Sequence, residues 1–332
     1  MRLLAARNLA VMSVACLGAQ MLGDPAARAQ DKPVPEQIVD VMNRLWGQHP
    51  GMRANHAKGV VVEGSFAPSP DGAALSASPL FAGGPVPVTV RFSDATGIPT
   101  IADGSPQANP HGMAVKFKLS DGGEMDIVAN SLKFFPVATG EEFRDMLQAA
   151  AESGPGAPKP TRLEQFVAAH PAALKAVQSV QTPASLARET YNGIDAFVFV
   201  SRDGKRQPFR FRIDPDEGAE HLDAEAAAAK QPDFLMKEIA ERVSSRPVVF
   251  HLKAQLAQAG DPTSDPTKPW PEDRRIVELG RITLTRPAPD SATAEKSLLF
   301  LPQNLTAGVE QSDDPLIDAR NAAYAVSFGR RQ

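Results

Sequence analysis

The sequence predicts an α+β fold, one domain built on an antiparallel sheet or barrel. Three features lead there. Short runs of alternating apolar character, the mark of half-buried strands, appear early at 59–66, 86–92 and 113–119 and return late at 248–256 and 276–285. Segments with helical apolar spacing lie between the two groups. No internal repeat and no shift of composition marks a boundary inside the 332 residues, so helices inserted into one strand framework are expected.

The elements follow in order. Residues 35–48 place Ile38, Val39, Met42, Leu45 and Trp46 at helical intervals, and Pro50-Gly51 stops the run. In 86–92, Val88, Val90 and Phe92 share one side of a strand. Asp121-Gly122-Gly123, between 113–119 and 125–128, reads as the turn of a hairpin. Thr139 with Glu142 and Thr161 with Glu164 have the capping-box spacing, in which hydroxyl and carboxylate satisfy the unpaired amides of a first helical turn. Between them, the Gly- and Pro-rich 153–160 must be a loop. Asp203-Gly204, between 196–200 and 208–213, is a second hairpin signal. Residues 223–243 are helical with an interruption near Pro232. A proline-rich crossing at 261–273 joins the last two strands, and a final helix runs from about Pro315 through Tyr324.

Hydrophobic residues make up 42% of the chain and the formal charge is -4, the balance of an ordinary globule. With no basic excess and 6% aromatics, no nucleic-acid partner is expected. Thirty prolines point to long ordered connections rather than a helix bundle. Arg2 and Arg7, the apolar stretch from Leu9 to Leu22 and Ala27-Arg28-Ala29 read as a secretory signal over 1–29, cleaved to leave one domain over 30–332. That stretch is too short and interrupted for a stable span, so no stable membrane insertion is expected after cleavage. The mature protein is expected in the periplasm or outside the cell. Cys16, after Ser13-Val14-Ala15, is a poor lipoprotein site. It leaves with the signal, which excludes disulfides, thiolate metal sites and a cysteine nucleophile from the mature chain.

Six scattered histidines form no HExxH, and neither a glycine-rich phosphate loop nor a GxSxG elbow appears. Taken alone, a histidine at the mouth of a strand, such as His56, is most often structural. Arg53, Arg91 and Arg320 each have an equally good reading as salt-bridge residues. One spacing says more. Arg320 precedes Tyr324 by one helical turn, so both lie on one face, and the guanidinium is placed to hold the phenol as phenolate. A phenolate is a hard anionic ligand for ferric haem.

Further segments stand in a telling order: Arg53-Ala54-Asn55-His56-Ala57-Lys58-Gly59, Arg91-Phe92-Ser93, His111-Gly112-Met113-Ala114-Val115-Lys116-Phe117 and Met125-Asp126-Ile127-Val128-Ala129-Asn130-Ser131. Phe134-Phe135, a helix with Phe143, Thr267-Lys268-Pro269-Trp270-Pro271 and Arg320-x-x-x-Tyr324 follow. Together, from Arg53 to Arg331, they resemble the catalase superfamily, most of all its small catalase-related peroxidases. The third segment is similar to the family's Arg-Gly-Phe-Ala-Val-Lys-Phe strand, with His111 in place of the arginine.

The resemblance implies a catalase-type antiparallel β-barrel with inserted and flanking helices, and one b-type haem (heme b) per chain. His56 and Asn130 would be the distal catalytic residues. Ser93 would bond the His56 ring nitrogen that faces away from the iron. Arg53, Arg91 and Arg331 match the family's propionate and proximal-face arginines, Phe143 would touch the cofactor, and Arg320 would pair with Tyr324, the iron ligand. The implied activity is reduction of hydrogen peroxide or organic hydroperoxides by a small organic electron donor, with weak catalase activity. Two departures refine this. Only 325–332 follow Tyr324 and the N-terminal arm is short, which implies a minimal version lacking the C-terminal helical domain, a monomer or small homo-oligomer. Asn109 stands where catalases carry a channel aspartate. Two other classes stay open: a hydroperoxide-rearranging enzyme of the allene-oxide-synthase type, and a non-catalytic ligand-binding barrel.

Overall fold

Alternating apolar residues close a barrel, and the residues between them face outward under a layer of helices. The structure, a computed structural model, describes residues 32–332; the expected signal, its cleavage site and Cys16 lie outside the described residues. Helix α1 (Val34–Trp46) leads into β1 (Gly59–Pro68), short helices α2 (Pro70–Leu75) and α3 (Pro79–Ala82), then β2 (Val86–Ser93), β3 (Gly112–Lys118) and β4 (Glu124–Asn130). The helical insertion is α4 (Gly140–Ala151), α5 (Arg162–Ala169) and α6 (Pro171–Ser179). Next come β5 (Thr182–Pro183), β6 (Tyr191–Asn192), β7 (Phe197–Val200), β8 (Arg206–Pro215), β9 (His221–Leu222), α7 (Ala224–Ala228) and α8 (Phe234–Ser245). The chain finishes with β10 (Val248–Leu256), β11 (Ile276–Pro287), α9 (Ser291–Ser297), β12 (Val309–Gln311) and α10 (Pro315–Arg330).

Pairing runs β10-β11-β1-β2-β3-β4-β6-β8, and β8 pairs back with β10, so eight antiparallel strands close on themselves while β7 and β12 extend from β8. Closure removes the free edges that an open sheet exposes. Val62, Val90, Phe92, Val115 and Phe250 fill the interior with no accessible surface. Each contributes about 1.5–3 kcal/mol by leaving water. On the outer side, α1, α4 and α10 cover the wall through a second apolar cluster of Ile38, Val39, Met42, Leu147 and Ala323. A Cβ on Gly140 would lie 2.6 Å from Ala319 Cβ, so only glycine lets α4 approach α10 this closely. Pro33–Gln332 form one compact unit, and among the described residues no helix is long and apolar enough to cross a membrane.

Both expected hairpins form, with Lys118 opposite Glu124 and Val200 opposite Arg206. The helical stretch breaks around Pro232 into α7 and α8, and the last helix runs past Tyr324 to Arg330. Thr161 and Glu164 make a complete capping box. The other is half of one: Thr139 accepts from Glu142 N, but the Glu142 carboxylate accepts from Ala138 N at 2.8 Å. The two caps differ in backbone, Thr139 at φ -132° and Thr161 at -63°. Elements of two to seven residues, such as α2, α3, α9 and β12, are too short to show a period in sequence.

Candidate active site

The register builds one wall of the site. Gly59 pairs with Ser93, Ser93 with Gly112 and Gly112 with Asn130, a single rung across four strands. Arg91, Ala114 and Val128 lie two residues further along the same outward face. Just before β1, His56 has φ 56°, a left-handed backbone uncommon outside glycine. Three bonds hold it there. Asn55 Oδ1 accepts from His56 N at 2.9 Å, Arg91 Nη2 donates to His56 O at 2.9 Å, and Ser93 Oγ is hydrogen-bonded to Nδ1 at 3.1 Å. A Cβ on Gly112 would sit 2.8 Å from Ser93 Oγ and 3.4 Å from the imidazole, so a side chain there would push the pair apart. With Nδ1 engaged, Nε2 is left to the cavity. Burial, and then the Arg91 charge, lower the His56 pKa to about 4, so the ring is neutral at neutral pH. Asn130 Oδ1 accepts from Leu132 N at 2.9 Å, which leaves its NH₂ as the group able to donate.

Helix α10 supplies the other wall. Asp314 caps it by accepting from Leu316 N at 2.9 Å, and Leu316, Ile317, Arg320 and Ala323 form its buried stripe. Arg320 Nε donates to Tyr324 Oη at 3.2 Å, the one-turn contact that the spacing predicts. Its Nη1 is paired with Asp195, which the sequence did not single out: an aspartate ahead of a short strand carries no sign of a partner so far along the chain. Burial opposes the Arg320 charge, but Asp195 and the Tyr324 hydroxyl hold its pKa above the usual arginine value.

A cluster of cations marks one end. Arg53 Nη2 donates to Leu298 O at 2.8 Å and Arg331 Nη2 to the same carbonyl at 2.5 Å. Arg91 reaches Glu295 Oε2 at 2.7 Å, and Arg53 reaches it at 3.4 Å. Two guanidiniums thus share one carboxylate, Glu295, also unremarked in the sequence, while the third, Arg331, rests on a backbone carbonyl beside them. Burial and then the neighbouring Arg91 and Arg331 charges push Arg53 down to about 8, and burial with Arg91 pushes Arg331 to about 10. Such a cluster calls for added negative charge.

These side chains converge on one cavity of about 870 Å³, between the barrel wall and α1, α4 and α10. His56, Ser93, Asn130, Tyr324 and the arginines all line it. Phe143 does too, its ring 5.4 Å from Phe135. Asn109 lines it as well, donating through Nδ2 to Thr182 Oγ1 at 3.2 Å. All nine residues expected to act or to hold a cofactor therefore stand around a single space. The donor set fits haem: an oxygen ligand paired with a cation, apolar walls, and a cationic cluster short of negative charge that suits two propionates.

Residues 37–331 match the family model described as catalase. The chain is 36% identical over 301 residues to a catalase-related peroxidase of Mycolicibacterium paratuberculosis, covering 90% of this chain and 94% of the relative. It is 32% identical over 302 residues to a catalase-related peroxidase of Synechococcus elongatus, covering 90% and 88%. Among solved structures, a bacterial catalase superposes with a TM-score of 0.76 at 22% identity, over 86% of this chain and 58% of that one. Catalase A from Saccharomyces cerevisiae gives 0.76 at 21%, over 86% and 62%. The solved catalases share this fold, and the chain spans about three-fifths of their length. The outward face of the barrel, the helical cover and the sequence matches lead to one conclusion: the chain belongs to the catalase family and is an oxidoreductase acting on peroxide.

Proposed function

We propose that the protein is a haem-dependent peroxidase that reduces hydrogen peroxide or an organic hydroperoxide with a small organic electron donor. The observation that carries this reading is the convergence of His56, Asn130 and Tyr324 on one cavity whose cationic cluster suits a dianionic cofactor. Tyr324 would hold the iron, Arg320 would keep the phenolate charge-balanced, and Arg53, Arg91 and Arg331 would hold the propionates. Haem, when bound, supplies the two-electron redox chemistry that breaks an O–O bond.

The chain's own residues do the rest. Neutral His56 takes a proton through Nε2 from one peroxide oxygen and returns it to the other, which leaves as water or alcohol. Ser93 fixes which ring nitrogen faces the substrate. The Asn130 NH₂ donates to a peroxide oxygen and sets its direction. Two electrons and two protons from the donor complete the balance. The relatives called catalase-related peroxidases support donor oxidation as the main path. Residues 1–29 are proposed as a cleaved export signal, with the mature protein periplasmic or secreted; mass spectrometry showing an intact Met1 on exported material would refute it.

The test is an absorption spectrum of haem-loaded protein, followed by peroxide turnover with and without an organic donor. A Soret band and peroxide-dependent donor oxidation are expected. Tyr324→Phe should abolish stable haem binding or move the spectrum away from a high-spin ferric phenolate form. An unchanged spectrum would remove Tyr324 as the ligand.

A further inference from the structure

Asp94 and His111 are both fully buried and have no role in the proposed chemistry so far. Asp94 Oδ1 and His111 Nδ1 stand 3.1 Å apart, and neither side chain makes a well-aligned hydrogen bond, although the charged ends of Lys58 and Asp103 lie beside the carboxylate. Burying two polar side chains without a well-aligned hydrogen bond costs stability, so a pair of this kind asks for a reason.

Its place in the fold supplies one. Strand β2 ends at Ser93 and β3 begins at Gly112, the last paired rung of that ladder. Ser93 bonds the His56 ring, and Gly112 is the residue whose missing Cβ makes room for both. Asp94 and His111 are the next residues outward on each strand, where the ladder no longer fixes the spacing. Asp94 N also donates to Lys58 O at 3.1 Å, and Lys58 Nζ lies 3.9 Å from Asp94 Oδ2. On the other strand, His111 N donates to Ser131 Oγ at 3.2 Å and its carbonyl accepts from Ser131 N at 2.9 Å. The pair therefore joins three segments that shape the His56 pocket: 56–58, 93–94 and 111–112. His56 itself has a left-handed backbone, which persists only where the surroundings over-determine it.

We propose that Asp94 and His111 are a positioning pair for His56, holding Ser93 and Gly112 at the spacing that fixes the imidazole with Nε2 toward the cavity. This rests on the reading of His56 as the proton carrier. Neither member touches substrate; both act through the β2–β3 rung.

The experiment uses haem-loaded enzyme carrying Asp94→Asn or, independently, His111→Gln, each alone and combined with His56→Ala. The non-kinetic readout is the ¹⁵N shifts of the His56 ring in protein loaded with diamagnetic gallium protoporphyrin. Each single variant should lower kcat for peroxide reduction about 10- to 100-fold, the cost of a small misplacement of a catalytic group, while the donor KM changes little. The ¹⁵N shifts should move from one tautomer toward a mixture, and neither variant should reduce the residual rate of His56→Ala further. If one variant does not fold, the other decides. The proposal is overturned if the variants stay near parent rates with unchanged ¹⁵N shifts, or if they cost as much in His56→Ala as in the parent. Should the parent itself fail to turn over peroxide, the functional reading falls while the ring shifts still decide the pair.

Discussion

His56 sits at φ 56°, a strain of about 1–3 kcal/mol for a residue other than glycine, and Asn55, Arg91 and Ser93 hold it there. Burial, followed by the Arg91 charge, takes its pKa down to about 4. The form proposed to carry the proton is the neutral ring, so it is lost only as pH falls through about 4. The acid limb of peroxide consumption should therefore lie near pH 4 rather than at the 6.5 of an ordinary histidine. The same shift has the opposite sense for stability: below about 6.5 the unfolded chain takes the proton first, so folding weakens as pH drops toward 4. His56→Ala should retain the Soret band and lose ~10²–10⁴-fold in peroxide consumption, the usual worth of general acid–base transfer, with Asn130→Ala losing less. Stopped-flow rates with hydrogen peroxide check both, and equal rates in His56→Ala and parent would remove the distal assignment.

Among the elements, α10 joins several duties. Its cap, its buried stripe and its Arg320–Tyr324 turn all depend on the first residues being anchored. Asp314, the cap, is buried, and burial together with nearby Asp195 raises its pKa to about 7. A carboxyl that is more acidic unfolded than folded contributes stability fully below about 3.8 and loses it as pH rises through about 7. Asp314→Asn keeps an oxygen to accept from Leu316 N but cannot ionise. Relative to the parent, its stability should rise between pH 4 and pH 8, by on the order of 1–3 kcal/mol. Urea unfolding across that range measures the difference; parallel curves would show that Asp314 does not titrate there. The register makes an element-scale contribution of its own. A one-residue slip of β2 against β3 would turn Ser93 to the barrel interior, away from Gly112, and dismantle the wall of the site.

On the scale of the molecule, the closed barrel devotes its interior to packing and its outer face, under α1, α4 and α10, to the cavity. Asn109, on the connection between β2 and β3, lines that cavity with a buried Oδ1 that has no partner. A carboxylate there would orient an incoming peroxide through a charge-assisted hydrogen bond, worth about 1.5 kcal/mol or more, roughly a factor of ten. Asn109→Asp should accordingly raise oxygen release relative to donor oxidation at equal peroxide by about that factor. An oxygen electrode run beside a donor-oxidation assay tests it, and an unchanged ratio would end the channel argument.

The sequence by itself determined what depends on near neighbours. The Val88–Val90–Phe92 alternation chose which face of β2 packs inside, the Asp-Gly turns set two hairpins, and the four-residue step from Arg320 to Tyr324 fixed their contact, because strand pleat and helix pitch are local geometry. The motif segments singled out His56, Ser93 and Asn130, and the register then put Ser93 and Asn130 on one rung. Only the tertiary structure decided who neutralises whom. Asp195 meets Arg320, Glu295 lies between Arg53 and Arg91, and Asp94 faces His111 only after the barrel has closed and α9 and α10 have docked on it. In the sequence each of those carboxylates looks like any solvated charge. Ion pairing acts through space at a few ångströms, and which charges come that close is fixed by strand register and helix docking rather than by distance along the chain.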